Sequence, residues 1–109
     1  MKRSPIRKKL RTEEQKEIAR ITKEADERFY TEIWNKRRPY SEVSGTYLGA
    51  EVNKACIDHL LEKAKYPVYR YHEDNVLLVT IDEHAMRHAG NPLPKHKEAI
   101  DRARKQFGV

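Results

Sequence analysis

Between Cys56 and His88 the chain places four of its five histidines, and it sets a carboxylate and a carboxamide, Asp58 and Asn75, among them. His84 and His88 are four residues apart, so on a helix both imidazoles project from one face and can converge on one cation. Asp58 brings a carboxylate to the same ion from a separate apolar segment. Its neighbour His59, on the other side of a strand's alternation, stays free of it. Two imidazoles and one carboxylate leave coordination positions open for water and for a substrate oxygen, which makes this a catalytic kind of site.

Two strands and a short helix are needed to bring those groups together. KACIDHLLEK reads as a strand carrying Asp58 and His59, AKYPVYRYHED as a loop, and NVLLVTI as the second strand of a hairpin. Asp82 is expected to cap a short helix, EHAMRHA, which stops at Gly90, Asn91 and Pro92. Upstream, Thr12 followed by Gln15 matches a capping box and predicts a helix. Ile18, Ile21, Ala25, Phe29 and Ile33 give that helix one apolar face, expected to pack on the core. Lys36, Arg37 and Arg38 suit its C-terminal end, and Pro39 prevents it from continuing. YSEVSGTYLGA is turn-rich, with Gly45 and Gly49 as points of unusual backbone geometry. Pro94 opens a last helix with Ala99, Ile100, Ala103 and Phe107 as a weak apolar stripe.

The organisation that follows is an α+β chain with one core: a basic arm over residues 1–11, an N-terminal helix over 12–38, and a hairpin-and-helix core over 39–109 that ends in the C-terminal helix. The arm carries Lys2, Arg3, Arg7, Lys8, Lys9 and Arg11 with no acid. A net charge of +6 and a pI near 9.5 favour an anionic partner. Nucleic acid leads, with Lys2, Arg3, Arg7, Lys8, Lys9, Arg37 and Arg38 as its contacts. No apolar run is long enough to span a membrane and no signal peptide is read, so the chain is expected in the cytoplasm. The lone Cys56 cannot form an internal disulfide and reads as a core residue. Arg70 and Arg87 read as solvated, the tyrosines Tyr66, Tyr69 and Tyr71 as loop packing, and His72 and His96 as residues without assigned chemistry.

In order and spacing, Asp58-His59, Asn75, His84 and His88 resemble the HNH, or ββα-metal, endonuclease family over roughly residues 39–90. The resemblance implies a ββα-metal core and metal-dependent hydrolysis of DNA phosphodiester bonds. It implies His59 as the general base on water and Asn75 as the residue that orients it through a hydrogen bond to or near its ring. Asp58, His84 and His88 are implied to hold one divalent ion, magnesium or manganese, with zinc or nickel also admitted. Many members add two pairs of cysteines that bind a structural zinc. Ser41, Ser44, Thr80 and Glu83 stand at the equivalent places here, so no structural zinc is expected. The alternative is a non-catalytic nucleic-acid-binding module on the same fold, against which the retained His59 argues.

Overall fold

The structure, a computed structural model, describes residues 10–109. Of the basic arm only Leu10 and Arg11 fall within them; Lys2, Arg3, Arg7, Lys8 and Lys9 lie outside the described residues. Three helices and a two-stranded antiparallel sheet make an α+β arrangement, in the order α1 (Glu13–Arg37), β1 (Ile57–His59), β2 (Val76–Leu78), α2 (Ile81–His88) and α3 (Pro94–Phe107). Among these residues no helix is long and apolar enough to cross a membrane.

The sheet is small but lies between two helices. Ile57 pairs with Leu78, Asp58 with Leu77 and His59 with Val76, and a bond from the Val79 amide to the Cys56 carbonyl extends the ladder. Side chains alternate across a strand. Ile57, Val76 and Leu78 therefore meet Phe29, Tyr30, Ile33 and Trp34 of α1, while Leu77 and Val79 meet Ala99 and Ala103 of α3. Coverage of both faces explains why residues 76–79, within NVLLVTI, are a continuous apolar run instead of alternating. The same alternation directs His59 toward α1 and Asp58 toward α3.

The capping box at Thr12 is present: Thr12 Oγ1 accepts from the Gln15 amide and Gln15 Oε1 accepts from the Thr12 amide. The expected apolar face packs only in its second half. Ile18 and Ile21 are 57 % and 53 % exposed, whereas Phe29 and Ile33 are buried. Twenty-five residues make a helix of about 37 Å, and its buried residues, Phe29, Tyr30, Ile33 and Trp34, all lie in the second half, so its first turns extend past the body. The first strand is also shorter than expected, because Lys54–Cys56 form a 3-10 turn ahead of Ile57. The long loop between the strands contains two more such turns, Pro67–Tyr69 and Glu73–Asn75. Gly45 and Gly49 take φ of 78° and 110°, a region that L side chains rarely adopt.

The cap of α2 is Thr80, not Asp82, which sits in the first turn. Thr80 Oγ1 accepts from the Glu83 amide and Glu83 Oε1 accepts from the Thr80 amide. A threonine with glutamate three residues on satisfies two helix-end donors at once, and that reciprocity outcompetes an aspartate two residues further on. Glu83 Oε1 also accepts from the Ser41 hydroxyl at 2.6 Å, and Ser41 Oγ in turn accepts from the amides of Val43 and Ser44. The turn-rich segment, β2 and α2 are thus tied at one buried corner.

Burial pushes the Glu83 carboxyl up, but hydrogen bonds from Ser41, the Thr80 backbone and Ser44 outweigh it and hold the group below its ordinary value. A folded-state value below the unfolded one stabilises the fold above the unfolded pKa, near 4.3, and that share is lost as pH falls through the folded value. Glu83→Ala is expected to cost about 2–3 kcal/mol at pH 7, because it strands the Ser41 hydroxyl and the Thr80 amide. The gap between variant and wild type should narrow in urea titrations below pH 4; a gap that is constant with pH would contradict the ionised knot.

Candidate metal centre

Asp58, on β1, is 1 % exposed, while His84 is half-buried and His88 exposed on α2. One ligand atom from each lies within 4.8 Å of the others. The imidazoles sit on one face of the helix with ring centroids 4.6 Å apart, as their four-residue spacing requires. His84 Nδ1 lies 2.8 Å from the Ala55 carbonyl, which can only accept, so Nδ1 carries the proton. Nε2 is left for a cation and faces Asp58 Oδ1 at 3.4 Å. Two lone pairs at that separation are spaced like adjacent ligands of one cation with bonds of about 2.1 Å. The donor set fits a divalent ion.

Two further side chains hold the buried carboxylate. His96 Nε2 reaches Asp58 Oδ2 at 2.7 Å from the first turn of α3. Arg87 lies 3.4 Å from Oδ1 and donates a second bond to the Leu60 carbonyl at 2.8 Å. Neither matches its sequence expectation. The Arg87 side chain is only 12 % exposed, because it sits one turn on from Glu83 and faces β1 across the cleft. His96 is 0 % exposed. One signal for it was present in the sequence: His96 is three and seven residues ahead of Ala99 and Ala103, on the stripe of α3 that faces the core.

His59 is 7 % exposed and packs edge-on against Tyr30, with ring centroids 6.1 Å apart. Its Nε2 lies 2.9 Å from the Arg70 carbonyl and must be the protonated nitrogen. Nδ1 is then the basic atom. Burial pushes the imidazole below its ordinary value, with help from the charges of Lys63 and Arg70, and outweighs the opposing hydrogen bond and the Asp58 charge. The ring is therefore neutral near pH 7.

Asn75 is fully buried but does not bond the His59 ring. Its Oδ1 accepts from the Leu61 amide at 2.7 Å, and its Nδ2 donates to the carbonyls of Leu61 and Tyr69 at 3.2 and 3.1 Å. It thereby fixes the end of β1 to the loop whose next carbonyl, that of Arg70, meets His59. The Arg70 guanidinium is not solvated either: it makes a bidentate pair with Asp26 of α1 at 2.9 and 2.7 Å. Loop, strand and long helix together set the ring.

Asp58, His59, His84, His88, Arg70 and Arg87 line one cleft of about 570 Å³, with Lys54 and Lys63 at its edge. A larger recess of about 890 Å³, between α1 and residues 48–54, shares Tyr30, Lys54 and Lys63 with it but contains none of the histidines. The candidate metal ligands and His59 lie in the smaller one. Arg37, expected to meet phosphate, is engaged inside the protein with Glu42 and the carbonyls of Val76 and Glu73; Arg38 is exposed where α1 ends. No family model, curated protein or solved structure matches this chain.

Proposed function

We propose that this chain is a metal-dependent endonuclease of the HNH, ββα-metal type, hydrolysing DNA phosphodiester bonds. One observation carries the reading: a buried, neutral imidazole with its basic nitrogen free shares a cleft with a carboxylate and two imidazoles spaced for a divalent ion. A module that only binds nucleic acid has no need of the first of these. The hairpin β1–β2 followed by α2 is the ββα unit on this reading, and α1 and α3 are its supports.

In the proposed reaction His59 Nδ1 takes a proton from the attacking water. The Arg70 carbonyl, hydrogen-bonded to Nε2, keeps the ring in the tautomer that can do so and stabilises the imidazolium that forms. Asp58, His84 and His88 would hold the ion, magnesium or manganese by preference, which would supply Lewis acidity to the scissile phosphate. Lys54 and Lys63 place positive charge beside the cleft, where a phosphate backbone must approach.

Incubation of supercoiled plasmid with the protein and manganese or magnesium tests the proposal. Nicked and linear products should appear with the ion and vanish with EDTA. Intact plasmid with every divalent ion, from protein that binds DNA, would favour the non-catalytic module.

A further inference from the structure

The histidine on α3 has no counterpart in the constellation that motivates the nuclease reading, yet it makes the shortest contact to the carboxylate at the centre of the site. His96 Nε2 and Asp58 Oδ2 are 2.7 Å apart, and both residues are almost entirely buried. The other ring nitrogen, Nδ1, is buried with no hydrogen-bond partner. An N–H stranded in an apolar place is costly, and a carboxylate oxygen facing a ring lone pair is repelled. Both penalties are avoided when Nε2 carries the proton and donates it to Oδ2.

This contact divides the two oxygens of Asp58. Oδ2 is turned to α3, and Oδ1 is turned to His84 and Arg87, at 3.4 Å from each. A carboxylate at the edge of a two-stranded sheet otherwise has a broad, roughly twofold torsion about its last bond. An apolar residue at position 96 would suit the stripe of α3 better, since Ala99 and Ala103 are its buried neighbours on that face. It would also leave Oδ2 buried and without its donor.

We propose that His96 is a positioning residue for the metal-binding carboxylate: by donating to Oδ2 it fixes Asp58 so that Oδ1 is presented to the ion beside His84 and His88. The inference rests on the reading of Asp58, His84 and His88 as a metal centre. Hydrogen-bonded partners of ligating groups commonly govern metal affinity by about 10- to 100-fold. On this view α3 belongs to the site, although it contributes no ligand.

Cobalt(II) is the probe, followed by isothermal titration and by its visible absorption, which reports ligand geometry directly. His96→Leu should weaken cobalt binding by about 10- to 100-fold and alter the absorption band. In His96→Gln the amide nitrogen reaches the place of Nε2 and should restore most of the affinity and the band. His96→Asn, one methylene shorter, should not. Thermal melting of the metal-free variants separates loss of site from loss of fold. Should His96→Leu fail to fold, the Gln and Asn variants carry the comparison alone. Wild-type affinity and band in folded Leu or Asn variants would overturn the role, as would a Gln variant no better than Asn. A wild-type protein that takes up no cobalt would instead overturn the metal centre itself, and the role of His96 with it.

Discussion

His59→Ala should lower the rate of plasmid nicking by about 10²- to 10⁴-fold, the usual share of a general base, while manganese affinity stays within a few-fold of wild type. The separation follows from geometry, because His59 faces α1 and Asp58 faces α3 from adjacent positions of one strand. Removing the ring also opens space beside Tyr30, so rates are to be compared well below the melting temperature of the variant. Collapse of metal affinity in His59→Ala would show that the ring is a ligand. The pH profile gives an independent reading of the same residue. A base must be unprotonated, and burial lowers the value of His59. The acidic limb of the wild-type rate should therefore have its midpoint below the ordinary histidine value of about 6.5, with activity lost as pH falls through it. A midpoint above that value would remove His59 from the role.

Asn75→Ala is expected to have the largest effect on folding of any single change at the site. It leaves the Leu61 amide and carbonyl buried without their partner and takes from the Tyr69 carbonyl one of its two donors, the other being the His72 amide. Each stranded group costs about 1–3 kcal/mol, so a total loss of about 3–5 kcal/mol is expected by urea unfolding, a large part of a small domain's stability. Asn75→Asp is the sharper test, since it keeps the shape and the acceptor but sets a carboxylate oxygen against two carbonyls. It should be destabilised as severely. A variant as stable as wild type would mean that the loop is held elsewhere, by the Arg70–Asp26 pair for example.

Residue types and spacing reveal different amounts about different parts of this molecule. His84 and His88 are legible because helical periodicity alone puts them on one face, and Gln15 after Thr12 is legible because a capping box is local in sequence. The cap at Thr80 is equally local and was masked by the more familiar aspartate beside it. Long-range pairs are another matter. Arg70 with Asp26, Arg37 with the carbonyls of Glu73 and Val76, and His96 with Asp58 join positions 36 to 44 residues apart. Charge alone does not reveal that a guanidinium turns inward. Ile18 and Ile21 show the converse: periodicity marks a face but not how far the partner surface extends beneath it.

That overhang gives one helix two kinds of stability. From Phe29 to Trp34, α1 is part of the core and can open only when the protein unfolds. Ahead of Ala25 it is held by its own backbone ladder, the Thr12 cap and exposed ion pairs such as Glu17–Arg20 and Arg20–Glu24. A lone helical stretch of about twelve residues is marginal in water, and exposed pairs add little. The outer turns therefore breathe by fraying while the inner turns, with Tyr30 against His59 and Asp26 on Arg70, stay in place. The far end of the helix can loosen, or be refitted against another surface, without the cleft registering the change.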